Sequence, residues 1–398
     1  MKILSINSGS SSLKANLFEE EKKGLKLIAK VLVDGIGQEK CRFTFKSDTK
    51  NIGLKSTAKN HAQAIKEVLD NLIKTQTIKD LKEISAVGQR VVHGGEKYIK
   101  SVKIDAKVMK EIEKLSNLAP LHNPINLESI KAIQKILAKA KQVAVFDTAF
   151  HQTMPEKAYL YGLPQEMYKK HQIRRYGFHG TNHRYVTERT LELLKNKKAK
   201  LITCHLGNGS SITASIGGQS IDTSMGFTPL EGVMMGTRSG SIDPAITFHL
   251  EHNLKIKAKD VDQILNHKSG LLGFSGISSD MRDIHEKAEK GDKDAKLTIE
   301  TLAYQIAKYC GAYAAAMNGV DAIVFTATMG EKAWYLREKI VDYLTFLDFK
   351  LDKAKNKNAT KSDTSPEVEI SPARSKKRIF VIQANEALQI AKETVSAL

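Results

Sequence analysis

No run of residues in this sequence stays apolar for the roughly 18–20 positions that a membrane helix needs. The opening MKILSIN carries a lysine, but its apolar part is too short for the core of a signal peptide. Cysteine is scarce. Cys41, Cys204 and Cys310 are odd in number, far apart along the chain and form no C-x-x-C, which argues against a disulfide framework or structural zinc and for a reducing cytoplasm. Aromatic residues are only 6%, and no basic stretch is interleaved with them. The net charge of +18, mostly lysine spread along the chain, therefore reads as a solvated surface and not as a nucleic-acid footprint. Such a surface favours small anionic substrates by long-range steering. Familiar catalytic signatures are missing as well: there is no Walker A motif, no H-E-x-x-H and no G-x-S-x-G elbow. His179 and His183 in HGTNH stand four apart, but a zinc pair would lack its third ligand and its glutamate base.

What is present is an alternation of strands and helices over 398 residues, a length that suggests two domains. KILSIN reads as a buried strand, and SLKANLF alternates polar and apolar, so NSGSSSLK (7–14) is the turn of a hairpin. HAQAIKEVLDNLIKT puts Ile65, Val68, Leu69, Leu72 and Ile73 at helical spacing. EISAVGQRVV and QVAVFD read as short buried strands with the helix NLESIKAIQKILAKA between them, closing an α/β domain near Asp147. LITCHLGNGSSITASI (201–216) then repeats the opening plan of strand, Gly-Ser turn and strand, which suggests a duplicated domain. DAIVFTATMGEK reads as a strand running into a glycine turn, Lys353 to Arg378 as a polar surface excursion, RIFVIQ as a strand and ANEALQIAKETVSAL as a closing helix.

Asn7, Asp147, His205 with Asn208, and Thr328 with Gly330 all fall at or just past the C-terminal ends of these strands, where open α/β sheets hold their ligands. Glycine-serine turns offer backbone N–H groups to phosphate oxygens. Charged residues recur inside glycine- or proline-rich loops: Arg90 in GQRVVHGGEKY, His122 in LAPLHNP, Asp147 in VFDTAFHQTMP, His179 in RRYGFHGTNH, Arg238 in GFTPLEGVMMGTRSGSIDP, and Asp280 with Arg282 in GISSDMRDI. A guanidinium in such a loop is aimed at an anion, which it grips with two parallel hydrogen bonds.

With these motifs in view the chain resembles the acetate and propionate kinase family of the actin, hexokinase and sugar-kinase superfamily, from Met1 to the closing helix. NSGSSSLK fits the family's N-x-G-S-S-S-x-K opening, and RRYGFHGT with TPLEGVMMGTRSG fits its second signature. The resemblance implies an α/β fold of two ribonuclease H-like domains, the duplicated actin-like ATPase fold, with an active-site cleft between them and a homodimer. The domains it implies are 1–148 plus 384–398 and 149–383, the second carrying the nucleotide. It implies Mg²⁺-dependent, reversible transfer of a phosphoryl group from ATP to acetate, with Mn²⁺ as a substitute metal and no nucleic-acid or membrane partner. By the same resemblance, Arg90 and Arg238 hold the carboxylate and the moving phosphoryl group, His179 donates to its equatorial oxygens, His122 supports that region, and Asp147 organises acid and metal. Asn7 and Glu386 hold Mg²⁺, and Ser10, Ser12 and Lys14 line the phosphate path. Val92, Leu121, Phe178 and Pro229 wall the methyl pocket of the acid. His205, Leu206, Gly207, Asn208 and Gly209, then Asp280, Met281 and Arg282, then Thr328, Met329, Gly330, Glu331 and Lys332 form the nucleotide site.

The chemistry of the residues agrees with this, since phosphoryl transfer asks for positioning and neutralisation of charge and the attacking carboxylate is already ionised. A larger acid (propionate or butyrate), another phosphoryl donor, and a non-catalytic ATP-binding protein of actin-like fold are the alternatives. Arg90, Asp147, His179 and Arg238 together argue against the last. The chain departs from the family pattern at Gln89, Asn182 and Ser241, in positions that read as peripheral, in VIQANEAL before Glu386, and at Thr328, Met329 and Lys332. A β-branched Thr328 where glycine is usual is expected to resist a positive φ, with Met329 leaning into the same space, and so to loosen the hold on adenosine.

Overall fold

Asn7 stands opposite Lys14, and Ser8 opposite Leu13, in the antiparallel pair formed by β1 (Lys2–Ser8) and β2 (Ser12–Glu21). A hydrogen bond from the Gly9 N–H to the Ser12 carbonyl, 2.8 Å, closes the serine turn between them. In the computed structural model, which describes residues 1–359 and 365–398, the chain forms two units: Met1–Phe150 with Asn385–Leu398, and His151–Ala384.

The first unit is built on one sheet. β3 (Gly24–Asp34), β4 (Arg42–Ser47) and β5 (Asn51–Lys55) extend it on one side, while β6 (Ile84–Val91), β7 (Val102–Lys103) and β8 (Lys141–Phe146) extend it on the other. The order is β5-β4-β3-β2-β1-β6-β8-β7, with β1, β6 and β8 mutually parallel and the hairpin strands antiparallel. On one face the helix His61–Lys74 buries Ala64, Ile65, Val68, Leu69 and Leu72 against Leu4, Ile6, Leu13 and Leu17. Ile73, expected on that stripe, is 38% exposed, because the 100° turn from Leu72 carries it off the buried face. On the other face the closing helix Glu386–Ala397 seats Ile390 and Ala391. That approach needs Gly88 in β6: a Cβ there would lie 2.0 Å from the Thr394 hydroxyl oxygen. The close packing fixes the N-terminal end of the helix, where Glu386 sits.

The second unit repeats the plan. Its strands are β9 (Lys200–Leu206), β10 (Ser210–Ile216), β11 (Gln219–Thr223), β12 (Ala322–Thr326), β13 (Glu367–Glu369) and β14 (Arg378–Ile382), in the order β11-β10-β9-β12-β14-β13. Strand for strand this is β3-β2-β1-β6-β8-β7 again: an antiparallel meander, two parallel strands, and a short antiparallel edge. The fold is thus α/β and duplicated, as expected. The long helix Lys293–Ala316 covers this sheet, burying Ile299, Leu302, Ala303 and Ile306 with Ile202, Cys204, Ile323 and Phe325.

Two expectations are corrected. After β12 the chain enters a short helix, Ala327–Lys332, and not a glycine turn. The tract from Lys353 to Arg378 is more than an excursion, because it contains the helix Lys353–Ala359, strand β13 and the buried Ile370 and Ser371; residues 360–364 lie outside the described residues. The fold brings two of the cysteines together across 106 positions of sequence: Cys204 and Cys310 are buried free thiols with sulfurs 3.9 Å apart.

Candidate active site

The first unit gathers Asn7, Lys14, Arg90, Asp147 and Glu386 at the C-terminal ends of β1, β6 and β8. Arg90 Nη2 donates to Asp147 Oδ2 at 2.8 Å, and Nη1 approaches Asn7 Oδ1 at 3.4 Å. Asn7 Nδ2 donates to Glu386 Oε2 at 2.9 Å. Burial opposes the charge of Arg90, but Asp147 and Glu386 more than offset it, so its guanidinium is held above its ordinary range. Glu386 goes the other way: burial raises its carboxyl, Arg90 opposes, and Asp147 adds to the rise. Asp147, fully buried, and Glu386, half-buried, thus share one arginine, and Arg90 Nε is a buried donor with no hydrogen-bond partner among the described residues. Asparagines on the helix Asn123–Ile136 fix the backbone around this cluster. Asn126 Oδ1 accepts from the Val92 N–H at 3.1 Å while its Nδ2 donates to the Ser8 carbonyl at 3.2 Å, and Asn123 Oδ1 accepts from the His93 N–H. The turn itself is tethered by the His61 ring, whose Nε2 lies 2.8 Å from the Gly9 carbonyl. Ser10 and Lys14 are exposed and Ser12 half-buried; Val92 is buried, and Leu121, beside His122 ahead of the Asn123 helix, is 66% exposed.

Asn7, Asp147 and Glu386 offer hard oxygen donors of the kind Mg²⁺ accepts. Among the described residues no group of three or more acidic, histidine or cysteine side chains is placed to hold a metal alone. The donor set fits an ion that takes most of its shell from water and phosphate.

The second unit gathers His179, His205, the Gly207–Gly209 turn and Arg238. His179 takes a left-handed backbone (φ 58°) at the start of the helix Gly180–Leu194, and its ring stacks on His205 with centroids 4.1 Å apart. A Cβ built on Gly209 would lie 3.2 Å from His179 Nε2 and 3.4 Å from Arg238 Nη1, so both donors converge over a bare backbone. Arg238 Nη1 reaches only the Pro229 carbonyl, at 3.4 Å, and the Met235 sulfur, at 3.9 Å. No carboxylate pairs with it among the described residues, and burial alone pushes its pKa below the ordinary value. Its loop is tied to the turn through the Gly236 N–H, which donates to the Asn208 carbonyl at 2.9 Å.

Other nucleotide-site candidates have structural work of their own. Leu206 and Met281 are buried in the second core; Phe178, a candidate for the acid's methyl pocket and not for the nucleotide, is buried too. Asp280 caps the helix Met281–Glu289 by accepting from the Arg282 N–H, and its carboxylate is held below its ordinary range by the Arg282 guanidinium. Met329 does not lean outward but packs in the core, and Thr328 is exposed within the helix. The residue that adopts positive φ is Ala327 (φ 63°), so Thr328 carries none of the strain expected of it. The Glu331 carboxyl, raised by burial, accepts from the Ala384 N–H at 2.9 Å; Lys332 is exposed.

Asn182 is not peripheral. It is fully buried, with Nδ2 2.8 Å from His205 Nδ1 and 3.3 Å from Thr326 Oγ1. His183 has its two ring nitrogens against hydroxyls, 2.7 Å from Thr203 Oγ1 and 2.7 Å from Ser211 Oγ. Ser211 and Thr203 were not legible as functional, although polar residues on otherwise apolar strands were the signal available.

A model described as the acetokinase family matches residues 2–392. An acetate kinase of Pseudothermotoga lettingae is 52% identical over 99% of this chain and 96% of its own length, and one of Thermoanaerobacterium thermosaccharolyticum is 53% identical over 99% and 98%. Among solved structures, the acetate kinase of Porphyromonas gingivalis is similar with a TM-score of 0.92 at 42% identity, covering 100% of this chain and 99% of its own. A propionate kinase from Francisella tularensis matches with the same score and identity over 100% of both chains.

Proposed function

The chain belongs to the acetokinase family, and from that premise we propose how its residues divide the reversible transfer of the γ-phosphoryl group of ATP to acetate, giving acetyl phosphate and ADP. It is a kinase with a carboxyl group as acceptor, and ATP and acetate are its small-molecule substrates. The observation that carries the residue roles is Arg238: a half-buried guanidinium without a carboxylate partner among the described residues, set beside His179 Nε2 over Gly209. A buried charge left without a counter-ion awaits an anion, and two donors converging on one point suit the equatorial oxygens of a moving phosphoryl group.

Arg90, held by Asp147, orients the acid's carboxylate with one oxygen toward phosphorus; the carboxylate is already ionised, so Asp147 acts on position and not as a base. Val92 and Leu121 in the first unit, and Phe178 and Pro229 in the second, are the residues we assign to its methyl, with His122 assigned to the same part of the acid. Arg238 and His179 neutralise charge as it spreads over the phosphoryl oxygens. Ser10, Ser12 and Lys14 bind phosphate oxygens, and the Gly207–Gly209 turn, the Asp280–Arg282 segment and the Thr328–Lys332 helix hold the nucleotide. Mg²⁺, or Mn²⁺ in its stead, held by Asn7 and Glu386 with Asp147 near, would supply further neutralisation of the phosphate charge. The same reading extends to a homodimer in the cytoplasm; no helix among the described residues is long and apolar enough to cross a membrane. Propionate is the second acid. The test is a hydroxylamine trap for acyl phosphate with ATP, Mg²⁺ and acetate: the unmodified protein yields hydroxamate and Arg238→Ala yields almost none. Undiminished hydroxamate from Arg238→Ala would refute the role.

A further inference from the structure

We propose that His183 and Ser211 are positioning residues that set which ring nitrogen of His179 carries hydrogen, so that His179 offers an Nε2–H beside Arg238. The inference rests on the phosphoryl-binding role given to His179 above. A neutral imidazole has one N–H and one lone pair, and the partners of one nitrogen decide what the other presents. If the hydrogen sat on Nδ1, the lone pair of Nε2 would face an incoming anion and repel it.

The geometry orders these groups in a line. His179 Nδ1 lies 2.9 Å from Ser211 Oγ, and the same oxygen lies 2.7 Å from His183 Nε2. On its far side, His183 Nδ1 lies 2.7 Å from Thr203 Oγ1. Ser211, His183 and Thr203 are all fully buried. Ser211 has one hydroxyl hydrogen to serve two nitrogens, so whichever nitrogen receives it, the other must donate.

Thr203 decides the direction. Its alternative acceptor is the Thr213 carbonyl at 3.5 Å, the outer limit of a hydrogen bond, whereas His183 Nδ1 is at 2.7 Å. The Thr203 hydroxyl therefore donates to His183 Nδ1, His183 Nε2–H donates to Ser211, and Ser211 donates to His179 Nδ1. His179 is left with its hydrogen on Nε2, which faces Gly209 and Arg238. The helix serves the relay by spacing, since residues 179 and 183 are one turn apart.

Three titratable or charged groups pack against the line. His205 stacks on His179 at 4.1 Å and lies 6.0 Å from the His183 ring; His151 meets His183 edge-on at 5.7 Å; and Arg238 stands across Gly209. His151 is itself fixed, because its Nε2 donates to the Phe178 carbonyl at 3.0 Å and its Nδ1 takes the Ser220 hydroxyl at 3.1 Å.

The experiment reads the tautomer and the kinetics on the full-length enzyme. Histidine-¹⁵N labelling reports His179 as Nε2–H in the unmodified protein. In Ser211→Ala the Nδ1–H form gains population, kcat falls by roughly 10–100-fold, and KM for acetate and ATP stays within about twofold, as for a lost transition-state donor. Thr203→Val, which removes only the first hydroxyl and keeps the volume, moves the same signals by less and costs kcat less. An unchanged His179 tautomer in Ser211→Ala, an unchanged kcat, or a loss carried in KM would each overturn the relay. If Arg238→Ala left acyl phosphate formation intact, the phosphoryl-binding reading itself would fall, whatever the tautomer.

Discussion

Arg90 and Arg238 should respond oppositely in stability while failing alike in catalysis. Arg90 has a buried partner: its guanidinium sits 2.8 Å from Asp147, whose side chain is wholly inaccessible. Arg90→Gln takes from that carboxylate the guanidinium 2.8 Å away, and from Glu386 the strongest charge opposing its rise, with Lys14 a weaker one that stays. Removing one member of a buried pair costs about 3–5 kcal/mol. At about 2–4 °C per kcal/mol for a unit of this size, melting should fall by roughly 6–20 °C. Arg238 has no acidic partner among the described residues, and its burial is a cost to the folded state. Arg238→Gln removes a desolvated charge and breaks only two long contacts, to the Pro229 carbonyl and the Met235 sulfur, so melting should stay within about 3 °C of the parent or rise. In both variants kcat/KM should drop by about 10²–10³-fold or more, equivalent to about 2.7–4 kcal/mol of transition-state binding. Differential scanning calorimetry of ligand-free protein, read beside steady-state kinetics, tests both halves. If Arg238→Gln destabilises as much as Arg90→Gln, Arg238 is a fold element and not a charge kept for a ligand. If it turns over normally, the anion it was said to await goes elsewhere.

Gly209→Ala should fold, since the added methyl crowds only side-chain tips (His179 Nε2 at 3.2 Å and Arg238 Nη1 at 3.4 Å), which must give way by a few tenths of an ångström, yet it fills the point on which they converge; kcat/KM should fall by about 10²-fold with melting within about 3 °C of the parent, and wild-type kinetics would exclude an anion there. Val92→Ala should improve propionate relative to acetate, because one methylene is worth about 1–3 kcal/mol in an apolar pocket; butyrate as the best acid of the parent would contradict the wall assigned to Val92. Asp222, raised chiefly by burial although Arg175 opposes, binds its proton more tightly folded than unfolded, so the fold loses stability as pH rises from the ordinary aspartate range through its raised value. Asp222→Asn should therefore raise melting at pH 7 and lose that advantage as pH is lowered below the window; an advantage that persisted in acid would refute the sign.

The sequence disclosed what depends on local pattern. Apolar strands followed by Gly-Ser turns identified both hairpins, and charged residues held in glycine-rich loops drew attention to Arg90, His179 and Arg238, because packing seldom asks for a charge in such a context. Residues whose role is set by distant partners stayed hidden. Asn182 read as a peripheral substitution, yet tertiary folding brings Thr326, 144 positions away, to its side chain. Thr203 and Ser211 looked like ordinary strand residues, because nothing local says that His183 will close onto both. The Ala327–Lys332 helix was missed for a related reason. A glycine invites a turn, but Met329 finds a place in the core, and Arg337, fully buried, donates to the Gly330 and Glu331 carbonyls at 2.8 Å, securing the end of the helix.

The duplication also explains where the chemistry sits within each unit. In β1 and β2 the last ladder pair before the turn is Ser8 with Leu13, and the next is Asn7 with Lys14. In β9 and β10 the corresponding pairs are Leu206 with Ser210 and His205 with Ser211. Directly paired residues on antiparallel strands project to one face, so each hairpin offers two side chains together, one step in from its turn. In the first unit Asn7 and Lys14 share their surroundings with Arg90 and Glu386, and the result is a carboxylate-rich cluster suited to a cation. In the second, His205 and Ser211 meet Asn182, His179 and His183, and the result is a set of imidazole rings and hydroxyls leading to an arginine with no carboxylate partner among the described residues. The third strand continues the correspondence: Ile6 pairs with Gln89, which puts Arg90 next along β6, while His205 pairs with Thr326 at the end of β12. One backbone plan has thus been given opposite electrostatics by changing the side chains at the same few ladder positions, and the strand geometry that makes those positions adjacent did not have to change at all.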